Sequence, residues 1–139
     1  QSIDLLSEGQ NMTKMELEQM YALKTGALIE ASVASVLFLT DDLPVDKQEA
    51  LRHFSSSIGI AFQIKDDILD VEGETGVIGK KTGADQHLEK ATYPSLFGIE
   101  AAKKRCKTLL QKSLNTLEIF GDNAEALRWL THYIVKRDS

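Results

Sequence analysis

The chain has 139 residues, of which 42% are hydrophobic and 27% are charged, as in one soluble globular domain. Its 16 basic and 21 acidic residues give a net charge of −5, which argues against a surface that binds nucleic acid. The lone cysteine, Cys106, excludes an internal disulfide, fits the reducing cytoplasm and is predicted to be a buried small hydrophobe. The longest apolar stretch, residues 26–39, includes Glu30 and is shorter than the ~20 residues that a membrane span needs. No membrane span is therefore predicted.

Apolar residues recur at helical spacing along the chain, without useful alternation of period two, so the predicted fold class is all-α. The first helix is predicted to begin at a capping box formed by Thr13 and Glu16. Its apolar positions extend through Leu28 and Val36, which we expect to face the core. The second helix is predicted over residues 46–71, a long element for a globular protein.

Two further helices are predicted in the C-terminal part of the chain. The third begins beside Pro94, a residue favoured in the first turn of a helix, and continues to a stop at Gly121. Asn123 is predicted to cap the last helix, in which Trp129 packs against the rest of the protein. Arg137 lies near the end of that helix, where the helix dipole favours cations.

Two segments do not fit an independent small helical bundle. Residues 1–6 read as the end of a helix with no cap before it, so we expect the chain to be a fragment. Residues 72–93 contain four glycines and little apolar periodicity, and connections longer than about 12–15 residues are usually functional or disordered. The prediction is one domain over residues 1–139 that contains a mobile loop at residues 72–93.

An acidic motif lies near the end of the second predicted helix. Four of its polar residues fall within about one quadrant of a helix: Gln63, Asp66, Asp67 and Asp70. Phe62 is expected to point the other way. Three carboxylates on one patch repel one another unless cations sit on them. The patch is therefore either a solvated acidic face or a cation site, and its hard oxygen ligands would suit Mg²⁺ that bridges to phosphate.

A second motif, Lys24-Thr25-Gly26, lies inside an otherwise helical pattern. A mid-helix glycine costs about 1 kcal/mol relative to alanine, so Gly26 either packs closely against a neighbour or permits a kink that frees backbone carbonyls. Taken alone, Lys24 and the loop lysines Lys80 and Lys90 read as solvated charges. Together with Mg²⁺ on the aspartates, these lysines would neutralise a bound diphosphate on several sides.

These motifs resemble those of the trans-prenyl diphosphate synthase family, most closely its bacterial farnesyl diphosphate synthase group. Residues 62–70 (FQIKDDILD) are similar to the family's second aspartate-rich motif, and residues 24–28 (KTGAL) to its KTGAL segment. Residues 90–94 (KATYP) are similar to the stretch that follows its mobile loop. Because the three motifs occur in the family's order and spacing, the implied fold is the C-terminal helices of the isoprenoid synthase helical bundle.

The resemblance also implies roles for individual residues. Asp66 and Asp70 would bind Mg²⁺ with the support of Asp67, and the lysines would contact diphosphate. Gln1, Asp4 and Asp85 look like further family positions. The implied site comprises the metal ligands Asp66, Asp67 and Asp70, the catalytic residues Lys24, Thr25 and Gln63, and the substrate-binding residues Phe62, Lys80 and Lys90.

The activity implied for the parent protein is a Mg²⁺-dependent condensation of dimethylallyl or geranyl diphosphate with isopentenyl diphosphate, which yields farnesyl diphosphate. No residue here supplies the family's first aspartate-rich motif, so the resemblance is to the C-terminal half alone and the isolated chain is expected to be inactive. The family is usually homodimeric. Two alternatives remain open: a non-catalytic prenyl-synthase-like subunit, and an all-α interaction domain without ligands.

Overall fold

The protein is described by a computed structural model that covers residues 12–40, 42–77 and 91–137. Within these ranges every regular element is helical, which confirms the predicted all-α class. The elements in chain order are α1 (Lys14–Tyr21), a π turn (Ala22–Gly26), α2 (Ala27–Phe38), α3 (Val45–Val77), α4 (Tyr93–Phe97), α5 (Ile99–Thr116), a 3-10 turn (Glu118–Ala124) and α6 (Glu125–Lys136).

The first predicted helix is present, but a π turn divides it into α1 and α2. It begins at the predicted capping box: the Glu16 backbone N–H donates to Thr13 Oγ1 at 3.3 Å, and the Thr13 N–H donates to Glu16 Oε2 at 2.8 Å. The two reciprocal bonds satisfy backbone donors that the first helical turn leaves without partners. The π turn coincides with the Lys24-Thr25-Gly26 motif.

Gly26 meets a second glycine where the first helix crosses α3. A Cβ atom added to Gly59 would lie 2.9 Å from the Cα atom of Gly26, so no side chain fits at that point of α3. Of the two sequence-based explanations for Gly26, the close approach is therefore confirmed, and the π turn adds a local irregularity of the kind expected of a kink.

Helix α3 is the central element and packs against every other helical segment. Its buried side chains recur at helical spacing, so one stripe of the helix forms the middle of the core. Cys106 of α5 is buried in the same core, as predicted. The core comprises Leu17, Met20, Tyr21, Phe54, Ile58, Ala61, Ile64, Ile68, Tyr93, Ala102, Cys106, Leu109, Leu117 and Ala124.

The apolar face of α2 is largely exposed, and the predicted burial of Leu28 and Val36 is wrong. These side chains are 74% and 61% exposed. Phe38 at the end of α2 is also exposed. The combined helix Lys14–Phe38 is long and apolar enough to cross a membrane by length and composition, although one such helix is weak evidence because core helices of soluble proteins meet the same criterion.

The third predicted helix is interrupted, contrary to the continuous helix expected from Pro94 to Gly121. Gly98 separates α4 from α5 with φ 84° and ψ 153°, a conformation that other residues rarely adopt. The Thr92 hydroxyl caps α4 by accepting from the Ser95 N–H at 3.2 Å. The 3-10 turn follows α5 and contains Gly121 at φ 53°.

The predicted loop at residues 72–93 is shorter than expected at both ends. Helix α3 continues to Val77, and Tyr93 is already a buried residue of α4. An ion pair between Lys103 Nζ and Glu72 Oε1 at 2.8 Å connects this part of α3 to α5. Residues 78–90 lie outside the described part of the chain, and so do residues 1–6.

The last helix differs from its prediction in two details. Its N-cap is Ala124, which makes no side-chain cap hydrogen bond, so the prediction that Asn123 caps the helix is wrong. Trp129 is 65% exposed, although we expected it to pack against the rest of the protein. Its ring instead stacks on Tyr133, one helical turn later, with the ring centroids 5.4 Å apart.

Candidate functional site

The carboxylates of the acidic motif point in different directions, although the sequence predicts one shared patch. Asp67 is turned inward and is only 7% exposed, whereas Asp66 is partly exposed and Asp70 is exposed. Among the described residues, no group of three or more acidic, histidine or cysteine side chains could hold a metal ion. The structure therefore places Asp66 and Asp70 on the accessible side of α3 and Asp67 on its buried side.

Asp67 is held by residues from two other helices. The Tyr21 hydroxyl donates to Asp67 Oδ2, and the Tyr93 backbone N–H donates to Asp67 Oδ2 at 3.2 Å and to the Tyr21 hydroxyl oxygen at 2.9 Å. Burial raises the pKa of the Asp67 carboxyl, and the hydrogen bonds that it accepts oppose this rise in part. This carboxylate joins α1, α3 and α4 at the centre of the core.

The two sequence motifs meet at a direct hydrogen bond. The Thr25 hydroxyl in the π turn donates to Gln63 Oε1 on α3 at 2.8 Å. Gln63 Nε2 in turn donates to Asp67 Oδ1 at 3.4 Å, a long bond. Two residues predicted to be catalytic, Thr25 and Gln63, are thus brought together, although 38 positions separate them in the sequence.

Asp66 carries a contact that the sequence does not reveal. The Arg137 Nη2 atom donates to Asp66 Oδ1, and the guanidinium carbon lies 4.3 Å from the ring centroid of Phe62. Phe62 and Asp66 are one turn apart on α3, so a single guanidinium covers both. The prediction that Phe62 points away from the acidic motif is therefore wrong, because Arg137 joins the ring to Asp66.

The accessible donors are suited to Mg²⁺ in number and in kind. Mg²⁺ keeps several waters and is usually bound by one or two protein carboxylates together with phosphate oxygens. Asp66 and Asp70 are four residues apart on one helix, a spacing that brings their side chains close to each other. Asp67 differs from these two residues because it is buried and its oxygens accept hydrogen bonds from Tyr21, Tyr93 and Gln63.

Of the three lysines predicted to contact diphosphate, Lys24 lies within the described residues. Lys24 is exposed and lies in the π turn, directly before Thr25. Lys80 and Lys90 lie outside the described residues, and so do Gln1, Asp4 and Asp85.

The sequence patterns predict no polar role for three residues of this region: Tyr21, Tyr93 and Arg137. Tyr21 continues the apolar pattern of the first helix, Tyr93 lies in the motif of residues 90–94 without a predicted role of its own, and the helix dipole is sufficient to explain Arg137. Their polar contacts span 46, 26 and 71 positions in the sequence, and no local pattern reports contacts at such separations.

Comparison with known proteins identifies relatives over the full length of the chain. Residues 1–128 match the family model described as polyprenyl synthetase. Farnesyl diphosphate synthase of Escherichia coli (strain K12) is 39% identical over 99% of this chain and 47% of its own length. Geranylgeranyl diphosphate synthase of Cyanophora paradoxa is 38% identical over 100% of this chain and 46% of its own length. The chain thus spans about half the length of these relatives.

A solved structure gives the same result for the fold. The geranyltransferase of Legionella pneumophila superposes with a TM-score of 0.80 at 29% identity, over 99% of this chain and 43% of that protein. Because almost all of the chain is superposed, the match includes the first helix with its Lys24-Thr25-Gly26 motif and the acidic helix α3. The chain therefore belongs to the polyprenyl synthetase family.

Proposed function

We propose that this chain forms one half of the active site of a trans-prenyltransferase, which condenses dimethylallyl or geranyl diphosphate with isopentenyl diphosphate to give farnesyl diphosphate. The observation that carries the proposal is the hydrogen bond between Thr25 and Gln63. This bond joins the π turn to α3, the helix that carries Gln63. The same helix carries Asp66 and Asp70, whose accessible carboxylates suit Mg²⁺. Membership of the polyprenyl synthetase family supports the same reaction class.

In this proposal Asp66 and Asp70 bind Mg²⁺, and Asp67 supports the site from the interior. Bound Mg²⁺ would neutralise the charge that develops on the departing diphosphate. Lys24 would contact that diphosphate from the π turn, and the proposal includes the same role for Lys80 and Lys90.

The carbon skeleton of the substrates would meet the remaining residues of the site. Thr25 and Gln63 would present oxygen lone pairs to the allylic cation, which is stabilised by fixed dipoles in a site that excludes water. Phe62 would pack beside isopentenyl diphosphate. The stacked guanidinium of Arg137 adds a positive charge at the same place.

The proposal extends to features of the parent protein beyond this sequence. Because the chain spans about half the length of its relatives, the isolated chain is expected to lack activity, and the exposed apolar face of α2 offers a surface for the rest of the domain. A homodimeric parent in the cytoplasm is part of the proposal. Relatives named for the two products, farnesyl and geranylgeranyl diphosphate, are nearly equally identical to this chain. The choice of farnesyl diphosphate as the product therefore rests on the resemblance of the sequence motifs to the farnesyl diphosphate synthase group.

Titration calorimetry with inorganic pyrophosphate tests the metal bridge. We expect the chain to bind pyrophosphate in the presence of Mg²⁺ and not in its absence, because Asp66 and Asp70 alone would repel the anion. Asp70→Asn should weaken this binding. Glu49→Gln is the matched control, since Glu49 is an exposed carboxylate on the same helix, and it should leave the affinity unchanged. Equal affinity with and without Mg²⁺ would refute the proposal.

A product assay tests the division of the active site. Incubation of the isolated chain with geranyl and isopentenyl diphosphates should yield no farnesyl diphosphate by mass spectrometry. Robust product formation would contradict the idea that the chain supplies only one half of the site. The alternative, a non-catalytic subunit, predicts that a longer natural polypeptide containing this sequence is also inactive without a partner chain.

A further inference from the structure

A continuous set of hydrogen bonds runs from the π turn to the core. It begins at the Thr25 hydroxyl, which donates to Gln63 Oε1, and passes through Gln63 Nε2 to Asp67 Oδ1. It ends where the Tyr21 hydroxyl and the Tyr93 N–H donate to Asp67 Oδ2. Thr25 thus donates to Gln63, and the other three donors, Gln63, Tyr21 and Tyr93, donate to Asp67.

The direction of these bonds follows from the chemistry of a carboxylate. An ionised carboxylate has no proton and accepts hydrogen bonds only, whereas a glutamine amide has a donating and an accepting end. Gln63 must therefore turn its NH₂ group towards Asp67, which leaves Oε1 facing Thr25. The hydroxyl of Thr25 then uses its one proton to bond that oxygen. A neutral amide at position 67 would permit the opposite order.

We propose that Asp67 is a positioning residue that acts through Gln63, because its carboxylate fixes the orientation of the Gln63 amide. With the proton of Thr25 used internally, Thr25 Oγ1 and Gln63 Oε1 together present lone pairs to their surroundings. This inference rests on the proposed function, in which these two oxygens face an allylic cation. Oxygen atoms whose orientation is set before the reaction stabilise developing positive charge without reorganisation.

Tyr21 and Tyr93 keep Asp67 in this role. The two donors come from α1 and α4, and they hold the same carboxylate oxygen, Oδ2, inside the core. This anchoring turns Asp67 away from the accessible side of α3, where Asp66 and Asp70 lie. One acidic motif thus carries two functions, with two aspartates for the metal and one that orients the neighbouring amide.

Asp67→Asn tests the inference, because asparagine keeps the shape of aspartate but adds a donor. The side-chain oxygen of the introduced asparagine can still accept from Tyr21 and Tyr93, so its NH₂ group would face Gln63. We expect the Gln63 amide to reverse, with Oε1 accepting from the introduced asparagine and Nε2 donating to Thr25 Oγ1. In nuclear Overhauser spectra of the ¹⁵N-labelled chain, the Gln63 side-chain amide protons should shift their strong contacts from residue 67 to Thr25.

Two further variants separate orientation from general packing. Glu49→Gln removes an exposed charge from the same helix, and it should leave the Gln63 contacts as in the wild type. Tyr21→Phe removes one donor to Asp67 but leaves the carboxylate, so the Gln63 amide should keep its wild-type orientation. Unchanged contacts of the Gln63 amide protons in Asp67→Asn would overturn the inference.

The wild-type spectrum alone provides a second measurement, which does not depend on the folding of any variant. The Gln63 amide protons should lie closer to the Hβ protons of Asp67 than to the methyl group of Thr25. The reverse order of intensities would also overturn the inference.

Pyrophosphate binding distinguishes this inference from the proposed function. If Asp67 is a positioning residue, Asp67→Asn should retain Mg²⁺-dependent pyrophosphate affinity within about threefold, whereas Asp66→Asn should lose at least about tenfold. A loss in Asp67→Asn as large as that in Asp66→Asn would assign Asp67 to the metal and overturn the inference. Absence of Mg²⁺-dependent binding in the wild type would refute the proposed function, while the reversal of the Gln63 amide would still be measured.

Discussion

Arg137 forms an ion pair with Asp66, although the two residues are 71 positions apart in the sequence. The same guanidinium lies over the ring of Phe62. A proposed metal ligand therefore already has a positive partner from the end of α6, and Mg²⁺ must share or displace that partner in order to bind.

Replacement of Arg137 should strengthen the binding of Mg²⁺ alone. A partly exposed ion pair is worth about 0.5–1 kcal/mol, which corresponds to an increase of about twofold to fivefold in affinity for Arg137→Gln. Backbone amide shifts of α3 during a Mg²⁺ titration would measure this change. Lys136→Gln removes a neighbouring exposed charge and is the control for long-range electrostatics. Equal gains in both variants would show that the direct pair has no specific effect.

Two glycines of α3 should respond to alanine in opposite directions. Gly59→Ala places a Cβ atom 2.9 Å from the backbone of Gly26, so the helices must separate, and we expect a loss of about 1–3 kcal/mol in the free energy of unfolding. Gly73→Ala places its Cβ atom in open space, with a gain of about 0.5–1 kcal/mol from reduced chain entropy. Urea unfolding followed by circular dichroism measures both. A neutral Gly59→Ala would show that the crossing can relax.

The stability of the wild type relative to Asp67→Asn should depend on pH. Burial raises the pKa of Asp67 above its ordinary value of 3.8, so the charged carboxylate costs free energy in the folded state. The wild type should therefore gain stability relative to Asp67→Asn as the pH falls through the folded-state pKa towards 3.8, since the folded state then binds the proton more tightly than the unfolded state. Urea unfolding of both proteins from neutral pH down to about pH 4 measures the difference. A relative loss on acidification would contradict the prediction.

Cys106 should resist alkylation in the folded protein. The residue is 3% exposed, its Sγ atom lies 3.7 Å from the backbone oxygen of Ala61, and burial raises the pKa of its thiol above the ordinary value. Because the thiolate is the reactive form, iodoacetamide at neutral pH should modify the native chain far more slowly than the chain in urea. Intact mass spectrometry follows the reaction. Similar rates in the two conditions would mean that the thiol is accessible.

The helices could be predicted from the sequence more reliably than the faces that they bury. The capping box of Thr13 and the long helix α3 follow from local patterns, and the structure contains both. Leu28 lies 11 residues after the buried Leu17, about three α-helical turns, so a regular helix would place both on one face. The π turn between them has a longer period and rotates the following residues, which leaves Leu28 exposed and buries Leu37 instead.

The candidate site could be predicted in part for a similar reason. Spacing along α3 identifies a motif with Asp66, Asp67 and Asp70, because helical neighbours are fixed by local geometry. Which carboxylate turns inward depends on Tyr21 and Tyr93, whose helices approach α3 only in the folded protein. Local sequence contains no information on that approach, so the different environment of Asp67 emerges from the tertiary structure.

The position of Trp129 determines what intrinsic fluorescence can report. It is the one tryptophan of the chain, it is 65% exposed, and its ring stacks on Tyr133 at an interplanar angle of 12°. Its emission should already resemble that of a solvated indole in the native state, with quenching by the stacked ring as the main structural signal. A fluorescence-monitored transition would follow α6, whereas events at Asp67 would leave the emission unchanged. Tryptophan fluorescence is therefore not a probe of that network, which circular dichroism, tyrosine absorbance and NMR spectra can follow.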